Sequence, residues 1–330
     1  MTLQSPVLER RARAALDTCR VVHTPGQRTC CFDLSIRTEG DGESLVLAGT
    51  VETERLLGQA RASVRSVTGQ VVTARDVTVL DGTETFRTVA DRAVPVRSEP
   101  SDDAEQLTQA LLGSAVQAYD EQSGWTRVRV ADGYFGWVES ARLVEGDPIQ
   151  TDTVVSAGQT EGNEISYPPG VECKTLERRG DERLVEFRTG DERTLPSVAL
   201  THREMPPNRE AVAACARSFL GTPYEWGGKT PTGVDCSGLS WTAYRSTGIT
   251  LPRDADQQRQ VGAEIGRDVL QPGDLLFFPG HVAVSVGGDE YVHASHDAGQ
   301  VVINSLDPGA EHYREDLDDS FATARRVFDR

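Results

Sequence analysis

Short alternating runs separated by turn residues fill the middle of this chain, from residue 84 to residue 203. Such runs are typical of half-buried strands in small β-barrels. Helical spacing occurs before them, at Leu56, Leu57, Ala60 and Val64. At 330 residues, the chain is also long for one domain. The sequence therefore predicts an α+β multidomain protein with β-barrels at its centre.

The acidic composition limits the partners of this chain. It has 34 lysines and arginines against 51 aspartates and glutamates, a formal net charge of −17. Such a chain repels nucleic-acid phosphates, so we expect no nucleic-acid partner. No apolar stretch approaches the roughly 20 residues of a membrane helix, and the first residues show no secretory signal. We therefore expect no membrane span and a cytoplasmic location. A monomer is the default expectation.

The cysteines contain no CxxC pair, and two of them are adjacent in sequence. A disulfide framework or a zinc site would need a different spacing, so we expect neither, and no metal or other cofactor. Most of these side chains are expected to be small buried apolar groups. The six are Cys19, Cys30, Cys31, Cys173, Cys215 and Cys236.

Residues 1–82 show a mixed pattern. A helix is predicted over residues 7–17, a turn at residues 39–42, and a second helix that Gly69 ends. The segments CFDLSIRT, SLVLAGTV and VVTARDVTVL are typical of strands. The order LVLAGTV, helix, VTGQVVTARDVTVL resembles a BON-type module. The alternative is a small α+β domain that packs on its neighbours.

Two barrels are predicted next, over residues 83–147 and 148–205. In the first, Trp125 and Trp137 each follow a glycine, and each offers a large apolar area to a small core. This pattern resembles a bacterial SH3-like domain, a class that binds or shapes a neighbouring site more often than it catalyses. The second barrel is more divergent.

The last segment, residues 206–330, changes character again. Asn208 is a plausible N-cap for a helix that Gly221 closes. A second helix is predicted from Cys236, after a loop rich in Gly, Thr and Pro. The N-terminus of a helix favours negative charge, which should lower the pKa of Cys236, and its free N–H groups could hold an oxyanion.

Two histidines follow at a spacing that suggests a hairpin. His281 opens the apolar run VAVSV, a turn follows at Gly287 and Gly288, and the returning run YVHAS contains His293. The two histidines are 12 residues apart, and the register between the runs is not determined by sequence. A thiolate nucleophile needs a base partner, which either histidine could supply.

Four segments in order, DCSGL, PGDLLFF, GHVAV and YVHAS, resemble the NlpC-type cell-wall peptidases of the papain-like superfamily. The resemblance implies a papain-like α+β domain. It also implies Cys236 as the nucleophile, His281 as the general base and His293 as the residue that orients the base. His296 is the competitor for the orienting role.

The resemblance also implies substrate contacts. Tyr224 would support the oxyanion and Trp226 would line the cleft. Asp235 and Ser237 would contact the free amine and the first residue of the substrate. The alternatives are a core tyrosine, a core tryptophan and two helix-capping residues. Asp254 is a further candidate contact for the amine, or a surface carboxylate.

The family often has a serine after Arg-Asp, where this chain has Ala255. One substrate contact of the family is therefore in doubt. The catalytic set is not affected by this difference.

SH3-like domains before an NlpC-type domain resemble bacterial dipeptidyl-peptidases that act on murein-derived peptides. The resemblance implies cleavage of the bond between γ-D-glutamate and diaminopimelate or L-lysine, in peptides with a free N-terminal L-Ala. The first barrel would close one end of the cleft. The alternatives are an endopeptidase on intact stems, a papain-like amidase or acyltransferase, and an inert binding protein.

Overall fold

The computed structural model divides the chain into two compact units, residues 1–85 with 117–120, and residues 86–116 with 121–330. Among the described residues, no helix is both long and apolar enough to cross a membrane. The glycines of the turn predicted at residues 39–42 lie outside the described part. The structure describes residues 5–24, 26, 28–39, 44–145, 149–161 and 164–328.

The first unit packs two helices on a three-stranded sheet. The first two strands are antiparallel, and the second and third are parallel because a helix connects them. That helix begins after the Thr53 cap and ends at Gly69, which has a φ of +68°. The predicted elements are confirmed, although the first helix extends beyond residues 7–17. The elements are α1 (Ser5–His23), β1 (Phe32–Glu39), β2 (Ser44–Val51), α2 (Glu54–Thr68) and β3 (Val72–Val79).

The core of this unit explains its pattern. Leu56, Leu57, Ala60 and Val64 of α2 are all buried, as their helical spacing predicts. They join apolar side chains of α1 and of the three strands in one cluster. The BON-like interpretation of this module stays a prediction.

A seven-stranded sheet follows, in the order β10-β4-β7-β8-β9-β5-β6. Both Trp125 and Trp137 are buried in it. Gly136 is required by close packing, because a Cβ there would lie 2.5 Å from Cγ1 of Val96. The strands are β4 (Thr85–Val89), β5 (Ala93–Arg97), β6 (Gln106–Leu111), β7 (Ala115–Gln122), β8 (Trp125–Arg129), β9 (Phe135–Glu139) and β10 (Leu143–Glu145).

The next segment forms a five-stranded sheet, in the order β16-β15-β14-β11-β17, and a separate hairpin of β12 and β13. The segment predicted to be a second barrel, residues 148–205, thus contains several strands. Its assignment as a second SH3-like barrel stays a prediction, as do the domain limits. The strands are β11 (Thr153–Val155), β12 (Gln159–Glu161), β13 (Glu164–Tyr167), β14 (Glu172–Arg179), β15 (Glu182–Glu186), β16 (Glu192–Pro196) and β17 (Leu200–His202).

The last segment begins with three helices and a short two-stranded hairpin, and a six-stranded antiparallel sheet follows. The Asn208 side chain caps the first helix, as predicted, by accepting from the N–H groups of Glu210 and Ala211. The predicted end at Gly221 is wrong, since the helix stops at Ser218. The early elements are α3 (Arg209–Ser218), β18 (Lys229–Thr230), β19 (Gly233–Val234), α4 (Cys236–Arg245) and α5 (Ala255–Gln258).

The sheet of this segment has the order β20-β25-β21-β22-β23-β24. The helix α4 packs on β22 and β23, and α3 packs on α4. The N-terminus of α4 therefore lies against a central hairpin of the sheet. The remaining elements are β20 (Ala263–Ile265), β21 (Leu275–Phe278), β22 (His281–Gly287), β23 (Glu290–Ser295), β24 (Gln300–Ser305), α6 (Glu315–Ser320) and β25 (Thr323–Arg326).

Two glycines of the first unit differ in whether the backbone around them requires glycine. Gly49 lies in β2 with a φ of +120°, and a Cβ there would stand 2.1 Å from the carbonyl oxygen of Asp33. A Cβ on Gly58 of α2 would meet no atom within 4 Å. Gly49→Ala should lower the free energy of unfolding of this unit by about 1–3 kcal/mol. Gly58→Ala should raise it by about 0.5–1 kcal/mol. Calorimetry of both variants measures this, and equal shifts would contradict it.

Candidate active site

Asp235 holds the start of α4, where Cys236 is the first helical residue. Its Oδ1 accepts from the N–H of Gly238 at 2.6 Å, and its Oδ2 accepts from the N–H of Gly227 at 2.8 Å. Glycine is needed at position 238, because a Cβ there would lie 2.0 Å from the carbonyl oxygen of Gly228. The segment DCSGL therefore supplies a cap, a thiol at the helix N-terminus and a close backbone crossing.

The protonation state of Cys236 differs from the sequence expectation. Burial, together with the charge of Asp235, raises the pKa of the thiol to about 11. The backbone N–H groups of Val282 and Ser237 and the charge of Arg253 act in the opposite direction. The helix position thus lowers the pKa as expected, but burial outweighs it. The resting sulfur is a thiol beside the first residues of β22.

The two predicted histidines meet across the hairpin of β22 and β23. His281 Nε2 lies 2.8 Å from His293 Nδ1. Burial, and then the neighbouring charge of His293, lowers the pKa of His281 to about 3, while Asp235 opposes this. Burial also lowers the pKa of His293, which is almost fully enclosed. Both rings are therefore neutral at physiological pH.

Asn304 extends this pair, and sequence reasoning missed it. Its Oδ1 lies 2.9 Å from His293 Nε2, and its Nδ2 donates to the carbonyl oxygen of His312 at 3.0 Å. In the register of β23 and β24, His293 is opposite Val302, and Asn304 lies two residues further along the same face. A lone amide in the run QVVINS, one strand after the histidines, is the available sequence signal.

The tautomers follow from the end of this chain of hydrogen bonds. A carbonyl can only accept, so the Asn304 amide donates to it and presents its oxygen to His293. His293 Nε2 must then donate, and its Nδ1 accepts from His281 Nε2. His281 Nδ1 is left with a free lone pair, which is the arrangement that a general base requires.

Tyr224 and His296 lie at the edge of this arrangement. Burial, then the charges of Cys236 and Asp235, raises the pKa of Tyr224 to about 12, so its hydroxyl stays protonated near the sulfur. His296 packs edge-on against the Tyr224 ring at 5.3 Å. The His296 side chain is 83% exposed. The ring that accepts a hydrogen bond from His281 is thus that of His293 and not that of His296.

Two predicted substrate contacts lie inside a buried polar cluster. Arg253, only 1% exposed, donates to Asp235 Oδ1 at 3.0 Å and to Oδ2 at 2.6 Å. It also donates to Ser237 Oγ at 2.8 Å, and that hydroxyl donates to Asp235 at 3.2 Å. Both oxygens of Asp235 are therefore occupied. This carboxylate cannot meet a substrate ammonium without giving up existing partners.

The first barrel reaches the same site. The exposed Trp226 donates its indole N–H to Glu105 Oε1 at 3.0 Å. Gln106 donates to Glu225 at 3.0 Å and to the carbonyl oxygen of Trp226 at 2.8 Å. Tyr134 donates its hydroxyl to Asp254 at 2.5 Å.

The residues described here contain no group of three or more His, Cys, Asp or Glu side chains arranged to hold a metal ion.

Comparison with known proteins identifies two domains of this chain. Residues 221–315 match the NlpC/P60 family, and residues 96–143 match the bacterial dipeptidyl-peptidase Sh3 domain. Dipeptidyl-peptidase 6 of Lysinibacillus sphaericus is 34% identical over 247 residues, which cover 67% of this chain and 91% of that protein. The chain belongs to the NlpC/P60 family. It is a peptidase of that family, and its SH3-like domain is confirmed.

Two further NlpC/P60 comparisons are informative. Gamma-D-glutamyl-L-lysine dipeptidyl-peptidase of Bacillus cereus is 30% identical over 237 residues, 61% of this chain and 71% of that protein. The crystal structure of an NlpC/P60 family protein from Bacillus cereus has a TM-score of 0.62 at 22% identity, over 74% of this chain and 99% of that one. The structural match supports the fold of the two matched domains.

The neutral His281, which is partly buried, should make stability depend on pH. Its folded pKa of about 3 lies below the roughly 6.5 of an unfolded chain. The contribution is therefore intact above about pH 6.5 and lost as the pH falls toward about 3, because the unfolded chain binds the proton first. His281→Gln should lose less stability than wild type between about pH 7 and pH 4, as measured by urea unfolding. Parallel stability curves would contradict the low folded pKa.

Proposed function

We propose that Cys236 is the nucleophile of this peptidase, His281 its general base and His293 the residue that orients the base. The observation that carries the proposal is the hydrogen-bonded chain from His281 through His293 and Asn304 to a backbone carbonyl. It leaves the lone pair of His281 free at the start of β22, where the neighbouring Val282 N–H points at the sulfur of Cys236.

The proposed reaction is acyl transfer through the thiol. As Sγ attacks the substrate carbonyl, His281 takes the thiol proton, and the carbonyl oxygen becomes an oxyanion. The carbon–nitrogen bond then breaks, and the departing amine takes that proton from His281. A water molecule then attacks the thioester and gives a proton to His281, the carbon–sulfur bond breaks, and the sulfur takes that proton as the acid is released. Since the resting pair is neutral, proton transfer accompanies attack rather than preceding it.

The oxyanion has two kinds of donor at hand. The first N–H groups of α4 have no partner within the helix, and that of Cys236 lies beside the reacting sulfur. Tyr224 retains its proton because its pKa is raised to about 12, so it can donate a hydrogen bond. Neither donor has to move or ionise before the reaction.

The proposed substrate is a murein-derived peptide with a free N-terminal L-Ala. Cleavage between γ-D-glutamate and the following diamino acid would release L-Ala-γ-D-Glu. The names of the relatives support cleavage after γ-D-glutamate. Two are called gamma-D-glutamyl-L-lysine dipeptidyl-peptidase, and a third is called dipeptidyl-peptidase 6. The contacts of the first barrel with residues 225 and 226 support it too, because a wall at one end of the cleft limits the length of peptide that fits.

The free amine needs a carboxylate, and the structure favours Asp254 over Asp235. A buried ammonium is costly unless it is paired. The oxygens of Asp235 are occupied by Arg253 and by backbone N–H groups. Asp254 is partly exposed, whereas Asp235 is buried, and the Asp254 carboxylate receives a hydrogen bond from Tyr134 of the first barrel. The first barrel and the last segment of the chain thus meet at Asp254.

The second candidate is an endopeptidase on intact stems. It is favoured by relatives named probable endopeptidase in Escherichia coli and Haemophilus influenzae, 37% and 41% identical over 123 and 101 residues. These matches cover only 32% and 30% of this chain. The dipeptidyl-peptidase matches are about twice as long, which favours the exopeptidase.

A variant series tests the catalytic roles. Cys236→Ala should abolish hydrolysis, and His281→Ala should cost nearly as much, because nucleophile and base act as a unit. His293→Ala and then Asn304→Ala should cost progressively less, since solvent can replace part of an orienting contact. His296→Ala is the control and should retain kcat. Loss of activity in His296→Ala, with His293→Ala active, would move the orienting role to His296.

A second test addresses the free amine. Wild type should hydrolyse L-Ala-γ-D-Glu-diaminopimelate about a hundredfold better, in kcat/KM, than its N-acetylated form, which corresponds to one ammonium contact of about 3 kcal/mol. Asp254→Asn should remove most of that ratio, whereas the exposed neighbour Asp256→Asn should retain it. Equal rates of wild type on both peptides would contradict the exopeptidase and favour the endopeptidase.

A further inference from the structure

A buried ion pair joins the first barrel to the segment before the nucleophile. Lys229 Nζ lies 2.8 Å from Asp132 Oδ2, and their side chains are 4% and 0% exposed. Asp132 belongs to the turn between β8 and β9, and Thr108 of the barrel also donates to it at 3.0 Å. A buried pair is weak evidence for stability, because desolvation offsets its attraction. Its position suggests another role.

Lys229 contacts the helix that carries Cys236. Its ammonium lies 4.2 Å from the ring centroid of Trp241 in α4. Its carbonyl oxygen accepts from Thr242 Oγ1 of the same helix at 2.9 Å. Its backbone N–H donates to Gln109 of the barrel, also at 2.9 Å. One residue thus touches the barrel on one side and α4 on the other.

Arg253 makes the second connection. Its Nε donates to Thr108 Oγ1 at 3.1 Å, while its terminal nitrogens hold both oxygens of Asp235. Two buried cations, Lys229 and Arg253, therefore face two buried carboxylates, Asp132 and Asp235. The charges balance, and each cation has a carboxylate of its own.

We propose that Asp132 of the first barrel is a positioning residue for the nucleophile, because it keeps Lys229 away from the carboxylate that caps α4. Asp235 is the other carboxylate whose charge favours the protonated form of Lys229. If Asp132 is neutral, Lys229 competes with Arg253 for Asp235. The Asp235 carboxylate would then be shared between the two cations. As a result, the first turn of α4, which contains Cys236, would shift. This inference rests on the proposed function.

The chain offers a matched control at the other end of the same helix. Glu172 of β14, in the five-stranded sheet, is also a buried carboxylate, and it pairs with Arg245 in the last turn of α4. It also lies 2.7 Å from Arg188. Glu172→Gln thus removes a buried charge that contacts α4 but leaves the N-terminal cap untouched.

The experiment compares Asp132→Asn, Glu172→Gln and the double variant Asp132→Asn with Lys229→Met in the full chain. Asp132→Asn should lower kcat for the free-amine tripeptide about 10- to 100-fold with little change in KM, as expected for a misplaced nucleophile. Glu172→Gln should lower Tm comparably and keep kcat within about twofold. The double variant should regain most of kcat, because no cation remains to compete for Asp235.

Labelling of Cys236 by iodoacetamide gives a readout without substrate. Asp132→Asn should be labelled more slowly than wild type, because the displaced N–H groups stabilise the thiolate less. The double variant should return toward the wild-type rate. An inactive wild type with this order of labelling would reject the proposed function and keep the positioning role.

Two results would overturn the positioning role. One is an Asp132→Asn variant with wild-type kcat and wild-type labelling. The other is an equal loss of kcat in Glu172→Gln and Asp132→Asn without recovery in the double variant, since that pattern reflects general destabilisation of α4.

Discussion

The ion pair between Asp235 and Arg253 is the interaction on which the rest of the site depends. Both side chains are almost completely buried, and the two charges are joined by two hydrogen bonds. The same carboxylate also receives the N–H groups of Gly227 and Gly238. It therefore fixes the loop before Cys236, the start of α4 and the distance between them. Loss of either charge would leave the other buried and unpaired.

Burial gives the site its other main property, neutrality. It raises the pKa of Cys236 and lowers the pKa of His281, so the resting pair carries no charge. The series of hydrogen bonds that starts at His281 ends in the amide of Asn304 and a backbone carbonyl rather than in a carboxylate. Such a chain fixes the orientation and tautomer of the imidazole with little increase in its basicity. The site thus combines strong geometric control with a weak base.

Sequence reasoning reached the parts of the site that are encoded locally. The Asn208 cap, the helix beginning at Cys236 and the hairpin that carries His281 and His293 each follow from a few neighbouring residues. Asn304 was missed because its approach to His293 depends on the register of a third strand. For Cys236, the sequence predicts a lowered pKa, whereas burial raises it. Burial depends on the packing of the whole domain and not on the neighbouring residues alone.

The roles of Asp235 and Asp254 show the same limit more sharply. Both carboxylates precede a helix, at the N-cap positions of α4 and α5, and sequence offers no way to rank them. The difference arises because Arg253, distant in sequence from Asp235, occupies one of them, while Tyr134 of another domain reaches the other. Only contacts of the folded chain distinguish the two carboxylates. The first barrel therefore contributes directly to the chemical environment of Asp254.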